Sequence, residues 1–339
     1  MVLSRHQADA GTDRAVSAGL GGSGAGGLQR TREVPSVSGA GARESVAVVV
    51  VTYNRADLLR GLLDGLTKLD KPADAVIVVD NASTDHTAEV LAAATTPNLQ
   101  VITSEKNLGG AGGFHIGTKA ALEQGFDRAW LMDDDVVPAP DCLEVLLAQD
   151  EDCLFSVRED TRGDLIELAA VRFDLRNPLA IKPKTASVMD TYPTRADMPE
   201  RVEVEVVAFE GFMVRTKVLR EIGLPDPSYF IFYDDADLAI RARRAGHTIW
   251  AVRDAVLVRQ LDFNQQHDLA GWKGYYMYRN LFAVHFRYGE NALVRAKPWL
   301  ITAAVVLLSP VRGGRKEAAN VTRALRDARG MKHLSTSLS

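Results

Sequence analysis

The chain has 339 residues, 46% of them hydrophobic, and a formal net charge of −4 at pH 7. That length and apolar content suit one large domain with a sizeable core, and the weak acidity gives no global reason to expect nucleic-acid binding. The two cysteines, Cys142 and Cys153, make neither a disulfide framework nor a zinc-ligand spacing, so a reducing cytoplasm fits.

Residues 1–44 are rich in Gly, Ala and Ser, lack the apolar segment of a secretory signal, and read as a disordered tail. Within this tail Gly19, Gly21 and Gly24 satisfy GxGxxG, as do Gly22, Gly24 and Gly27. No strand precedes them and no amphipathic helix follows, so the match is attributed to low complexity. Order is expected from Val46, where VAVVVVTY has the continuous β-branched pattern of a strand buried on both faces. Leu58 to Leu69 has helical spacing. AVIVVD (75–80) is a second buried strand. DHTAEVLAAA (85–94) is a short helix with Ser83 or Thr84 as N-cap. LQVITSE (99–105) is a third strand, Phe114 to Gln124 a helix, and Ala129 to Met132 a fourth strand. This alternation predicts an α/β fold with a mostly parallel sheet and helices on both faces. Ligands of such sheets sit at the carboxyl ends of the strands.

From Glu151 to Val207 the pattern weakens to antiparallel strands and loops. Asp234 to Ala245 reads as a helix entered through acidic residues and closed by Gly246. Beyond Gly271 the chain reads as mostly helical. No run reaches the ~18 apolar residues needed to span a bilayer. The nearest, Pro298 to Val311, is too short.

Three strand ends carry the conspicuous polar residues: Thr52-Tyr53-Asn54-Arg55, Asp80-Asn81-Ala82-Ser83, and Asp133-Asp134-Asp135. Three adjacent carboxylates after an apolar strand repel one another, and burial makes each costlier. A divalent cation resolves that cost. Asp133 and Asp135 can face the same way along an extended chain, and hard oxygen ligands suit Mg²⁺ or Mn²⁺. The carboxylate of Asp80 can accept a pyrimidine imide N–H or ribose hydroxyls, with Thr52 and Asn54 beside it. NLGGAGGF (107–114) places four glycines in six residues, which permits close backbone approach to a ligand. It is not a P-loop, because no GK[ST] follows. FIFYDDAD (230–237) runs aromatic residues into carboxylates at a helix start, where a partly desolvated acid could serve as general base.

Taken in order, VVVTYNR, VVDNAST, the acidic triplet and FYDDADLAIRARRAG resemble the family 2 glycosyltransferases, which share the GT-A fold. The resemblance covers roughly Val46 to Asn280. NLGGAGGF and YMYRN (276–280) narrow it toward actinobacterial galactofuranosyltransferases of the galactan-priming type, and some rhamnosyltransferases share most of these features. The resemblance implies an inverting transfer from a nucleoside diphosphate sugar. It assigns Asp133 and Asp135 to the metal and Asp235 to the base. Thr52, Asn54, Arg55 and Asp80 would line the donor, with Asn107, Gly109, Gly110, Gly113 and Asp134 bordering it.

Many relatives carry a metal-ligating His downstream of the base, where AVLVRQ here presents Arg259. Arginine cannot ligate a metal but can pair with a diphosphate. His267, eight positions later, is the candidate replacement. Arg295, Lys297, Arg312, Arg315 and Lys316 flank the short apolar run, a pattern that suits either an anionic membrane surface or a buried core helix.

The expected organisation is therefore a tail (1–44), a GT-A catalytic domain (45–260) and a helical C-terminal region (261–339). The leading reading is a metal-dependent transfer of galactofuranose from UDP-galactofuranose to a lipid-linked or oligosaccharide acceptor, on the inner face of the plasma membrane. A rhamnosyltransferase using dTDP-rhamnose is the nearest alternative. A nucleotidyltransferase is disfavoured because TYNR, not a basic Gly-rich loop, ends the first strand. A non-catalytic binding module is the remaining class.

Overall fold

Strand β1 (Val46–Thr52) is buried at all seven positions. A strand that alternates faces and is apolar on both must be covered on both sides. Helix α1 (Ala56–Leu66) follows, then β2 (Ala75–Asp80), α2 (Thr87–Ala93), β3 (Leu99–Thr103), α3 (Gly109–Glu123) and β4 (Arg128–Asp133). These strands pair in parallel in the order β3-β2-β1-β4. The sheet separates two cores. Val46, Val48 and Val50 pack with Leu59, Leu62 and Leu63 of α1. Ala47, Val49 and Val51 pack on the opposite side with Phe114 and Ala121 of α3. Each fully buried valine or leucine contributes roughly 1.5–3 kcal/mol of transfer free energy.

The chain continues through β5 (Val136–Pro138), α4 (Cys142–Leu147), β6 (Cys153–Glu159), β7 (Ala170–Phe173), β8 (Lys184–Ser187), α5 (Val188–Thr191), β9 (Arg201–Val204), β10 (Phe212–Arg215), α6 (Thr216–Ile222), α7 (Asp234–Arg244) and β11 (Ile249–Arg259). Strand β10 lies antiparallel to both β4 and β6, which turns the parallel sheet into a mixed one. β11 then runs parallel to β6 and antiparallel to β5 and β9. β7 and β8 form a separate antiparallel pair. Helices α8 (Trp272–Tyr288), α9 (Ala292–Leu308) and α10 (Gly314–Gly330) complete the chain. Phe282, Val284, Val321 and Leu325 from α8 and α10 share a third core with Tyr229 and Ile240.

The computed structural model describes residues 43–180, 182–261, 269–310 and 314–331. The GxGxxG matches, His267, Val311 and Arg312 lie outside the described residues. Residues Arg43–Ser339 form one compact unit. Glu44, placed in the tail by composition, makes ion pairs of 2.5 Å with Arg128 and 2.7 Å with Arg215. Arg128 is almost wholly buried, and this pairing with Glu44 compensates its charge.

Three local expectations are revised. Helix α2 starts at Thr87, and neither Ser83 nor Thr84 caps it. Asp85 accepts from the backbone N–H of Thr87 at 3.1 Å instead. The helix expected from Phe114 begins earlier, at Gly109, so the glycine stretch forms its first turn. Lys297 does not face outward: its Nζ is buried and donates to the carbonyls of Asn177 (2.6 Å) and Ala180 (2.9 Å). Both cysteines are buried free thiols, pushed up to about 12 by desolvation, which makes them inert at neutral pH.

Candidate active site

Register gathers the polar strand ends. Thr52 stands opposite Asp80, and Val51 opposite Asp133. Asp134 and Asp135 form the tight turn between β4 and β5. Beyond that turn Val136 pairs with Arg259, the last residue of β11. The backbone N–H of Gln260 donates to the Asp135 carbonyl at 2.8 Å, and its amide to the Asp134 carbonyl at 3.1 Å. An element 124 residues downstream in sequence thus closes over the acidic turn.

The three carboxylates differ in their partners. Asp134 accepts from the Thr52 hydroxyl at 2.8 Å and from Arg55 Nη1 at 3.0 Å. Its carboxyl is nevertheless pushed up to about 6, desolvation outweighing the Arg55 charge and these bonds. Asp135 Oδ2 lies 3.5 Å from both Arg55 Nη1 and Arg259 Nη2. Its Oδ1 is buried without a hydrogen-bond partner. Asp133 is held well above the usual carboxylate range, first by desolvation, then by the charges of Glu210, Asp135 and Asp134. Asp133 is therefore under-compensated and Asp135 keeps one oxygen without a partner, so a divalent cation fits the pair. Asp134 is spent as a brace. The described residues contain no ready-made cluster of three or more His, Cys, Asp or Glu around a metal position. Asp133 and Asp135 would offer a cation two carboxylates, with further positions for water and phosphate oxygens.

Several residues expected to line the donor already hold protein partners. The Thr52 side chain is committed to Asp134. Asn54 adopts φ 53°, and its Oδ1 accepts from the backbone N–H groups of Thr84 (2.7 Å) and Asp85 (3.3 Å). It pins the β1–α1 loop to the β2–α2 loop. Asn107 Oδ1 accepts from Gly109 N–H at 2.8 Å and from the Asn81 amide at 3.1 Å. Asn81, fully buried, also donates to the Gly109 carbonyl and accepts from Leu108 N–H. Asp80 accepts from Ser83 N–H at 2.9 Å while holding its place at the strand end. Arg55 keeps 47% of its side chain exposed beside the triplet.

The glycines also have structural causes. Gly109 adopts φ +73°, and a Cβ there would stand 2.0 Å from the Phe230 carbonyl oxygen. A Cβ at Gly113 would stand 2.5 Å from Val51 Cγ1. These glycines let α3 sit tightly on β1 and on the loop that carries Phe230. Only Gly110 among Gly109, Gly110, Gly112 and Gly113 opens onto free space.

That Phe230 loop delivers the candidate base. Phe230, Phe232 and Tyr233 all have positive φ, at 64°, 67° and 67°. Such a run costs free energy at each residue and persists only if held. Asn280 of α8 holds it, its amide donating to the carbonyls of Tyr229 (2.9 Å), Ile231 (2.7 Å) and Phe232 (2.9 Å). Arg279 adds bonds of 2.7 Å to the Ser228 and Tyr229 carbonyls and lies over the Tyr276 ring, which stacks on Phe230. At the start of α7, Asp237 accepts from Tyr288 (2.6 Å), Tyr229 (3.0 Å) and Arg241 (2.9 Å), an inward anchor. Asp235 is partly exposed. Its carboxyl is pushed up to about 6 by desolvation, opposed by the Ala236 N–H and raised further by Glu210.

Glu210 and Arg158 escaped the sequence reading. Arg158 forms a buried bidentate pair with Glu167, with bonds of 2.9 Å, and a short contact with Glu210. Glu210 also lies 3.7 Å from Arg259 Nη1. Its charge raises the carboxyls of Asp133, Asp135 and Asp235, and through Arg259 it is tied to the acidic turn. The one available signal was a lone acid before Gly211 in an otherwise apolar stretch; its partners are 52 and 49 residues away in sequence.

This arrangement can be set beside known proteins. Residues 47–157 match the family model "Glycosyl transferase family 2". The chain is 34% identical over 215 residues to galactofuranosyltransferase GlfT1 of Mycobacterium tuberculosis, spanning 62% of this chain and 69% of that protein. It is 31% identical over 205 residues to GlfT1 of Mycolicibacterium smegmatis, spanning 60% and 67%. Galactofuranosyltransferase GlfT2 of M. smegmatis is 26% identical over 268 residues, spanning 71% of this chain and 41% of that protein. Among solved structures, a mannosyltransferase of Pyrobaculum calidifontis in complex with GDP-Man and Mn²⁺ aligns with a TM-score of 0.52 at 21% identity, covering 87% of this chain and 78% of that one. TarS 1–349 of S. aureus, in complex with UDP-GlcNAc, aligns with a TM-score of 0.54 at 18% identity, covering 84% and 80%. The GT-A architecture expected from the motifs is thus the one observed. With its sheet, its acidic turn and a GlfT1 relative matched over more than two thirds of its length, the chain belongs to the family 2 glycosyltransferases.

Proposed function

We propose that this glycosyltransferase moves galactofuranose from UDP-galactofuranose, with inversion, onto a hydroxyl of a lipid-linked or oligosaccharide acceptor. The observation that carries the reading is the acidic turn at the carboxyl end of β4, set among Arg55, Arg259 and Glu210, in a chain 34% identical to a GlfT1 protein over 215 residues. Asp133 and Asp135 hold a divalent cation, which when bound carries the charge that develops on the departing diphosphate. Asp80 and the exposed arm of Arg55 face the nucleoside diphosphate. Thr52, Asn54, Asn107 and Asp134 keep these loops in register, and Gly110 leaves space beside them.

Asp235 takes the proton of the acceptor hydroxyl as its oxygen attacks the anomeric carbon and the bond to the diphosphate breaks. A carboxylate raised to about 6 is ionised at neutral pH, yet basic enough to accept that proton. His267 remains a candidate further metal ligand on sequence grounds alone.

The lipid character of the acceptor is supported by α9. No described helix is long and apolar enough to cross a membrane. Leu293, Leu300 and Leu307 recur every seven residues on one exposed face of α9, with Trp299 and Val306 beside them. Exposed Arg315 and Lys316 open the next helix. This face suits an anionic bilayer surface and supports attachment there.

A panel of sugar nucleotides, scored for product with Mn²⁺ and with EDTA, tests the assignment. Turnover is expected with UDP-galactofuranose and loss of at least tenfold on chelation. Turnover with dTDP-rhamnose alone would sink it.

A further inference from the structure

The acidic turn carries its own counter-ions. Arg259 is buried at the end of β11, held opposite Val136 by the β11–β5 register. Its Nη2 lies 3.5 Å from Asp135 Oδ2 and its Nη1 3.7 Å from Glu210. Arg55 Nη1 reaches the same Asp135 oxygen at 3.5 Å. One oxygen of Asp135 is therefore claimed by two guanidinium groups, while Oδ1 has no hydrogen-bond partner. Arg158 adds a third cation on the far side of Glu210. To use Asp135 Oδ2 a bare divalent ion must displace two guanidinium groups in a poorly screened interior. A nucleoside diphosphate reverses the balance, because its oxygens offer Arg259 and Arg55 a planar, bidentate partner while releasing Asp135 to a metal.

We propose that Arg259 is the resident counter-ion of Asp135, exchanged for metal only when a diphosphate arrives, so that metal and nucleotide enter this site as a coupled pair. Arg259 is a positioning residue in this scheme, acting through Asp135 and the diphosphate charge. The inference rests on the functional reading above, that the site takes a divalent cation and a nucleoside diphosphate. Linkage makes the coupling reciprocal: each ligand raises the affinity for the other by one common factor.

Calorimetric titration of the full chain with MnCl₂ alone, UDP alone, and each in the presence of the other measures that factor. For the wild-type protein UDP should raise Mn²⁺ affinity at least about tenfold. Arg259→Met keeps an unbranched stem and leaves Glu210 paired with Arg158. It should bind Mn²⁺ alone several-fold tighter than wild type, bind UDP with Mn²⁺ about tenfold weaker, and show a coupling factor several-fold below the wild-type value, the remainder coming from direct contact between metal and diphosphate. Arg259→Lys, which keeps a cation, should retain most of the coupling. If Arg259→Met binds Mn²⁺ alone no tighter, or keeps the wild-type factor, the counter-ion role is wrong. If wild type binds Mn²⁺ equally well with and without UDP, the proposal fails even should the methionine variant not fold. If wild type binds neither ligand, the functional reading itself fails, a distinct result.

Discussion

At the scale of single residues the site separates into carboxylates that are spent and carboxylates that are available. Asp134 and Asp237 already hold hydroxyl and guanidinium partners, Asp135 shares one oxygen with two guanidinium groups and keeps the other without a hydrogen bond, and burial raises Asp133 and Asp235. Asp235→Asn keeps the acceptor for Ala236 N–H but removes the proton acceptor. Turnover should fall by a factor on the order of 10²–10⁴, the usual worth of general base catalysis, with UDP affinity unchanged. Near-wild-type turnover in this variant would refute the base assignment. In the wild type, kcat should rise with pH through about 6 and level off above it, because only the ionised carboxylate accepts the proton. The stability sign follows from the same direction. A carboxyl raised in the fold favours folding most when protonated, so its contribution is full below the unfolded value and is lost as pH rises through about 6. The asparagine variant should therefore melt no lower than wild type at pH 7, and any advantage should vanish toward pH 4. The triplet was legible as a group because an apolar strand ended in it. The division of labour was not, since Thr52 and Asp134 are 82 residues apart and Arg259 and Asp135 are 124 apart.

At the scale of elements the motifs interlock. The glycines of α3 and the aromatic run before α7 read as separate signals in sequence. In the fold Gly109 lies against the Phe230 carbonyl, which accepts from Ala111 N–H at 3.1 Å. Periodicity revealed α3 from Phe114 onward and missed its first turn, because glycine carries no side chain to mark a face and its low propensity argues against helix. Tertiary packing against β1 and Phe230 overrides that propensity. YMYRN gains a physical reading as well: Arg279 and Asn280 hold the carbonyls of a left-handed loop in place. Asn280→Ala leaves up to three carbonyls of a half-buried loop without this donor, at roughly 1–3 kcal/mol in stability. It should lower kcat through displacement of Asp235 while barely altering UDP affinity, since Asp80 and Arg55 stand on other elements. Thermal unfolding alongside steady-state kinetics checks this. A variant that loses stability but keeps wild-type kcat would show that the loop positions itself.

At the scale of the molecule the parallel half of the sheet brings the expected donor side together, α8 holds the loop of the candidate base, and α9 leaves one apolar face uncovered. Alternation of strand and helix made the first half readable from pattern, because both strand faces are buried and the period is unambiguous. The mixed half was less readable, since short strands such as β9 and β10 carry only four residues each. The apolar run of α9 suited two fates, and its two faces divide them. Val294, Pro298 and Val305 pack inward, and Leu300 and Leu307 stay 66% and 77% exposed. Inserting a leucine fully into an apolar phase contributes roughly 1.5–3 kcal/mol. Replacing Leu300 and Leu307 by glutamate together should therefore weaken partitioning to vesicles at least about a hundredfold, at ~1.4 kcal/mol per decade. Both side chains are exposed, so the melting temperature and UDP affinity should stay at wild-type values. Sedimentation with vesicles containing anionic phospholipid reads the effect. Wild-type binding should weaken as salt screens Arg315 and Lys316. Equal sedimentation of the double variant and wild type would assign the stripe another role, and turnover on a short soluble acceptor should be indifferent to it, because the proposed role of the stripe is attachment to the bilayer and not contact with the reacting atoms.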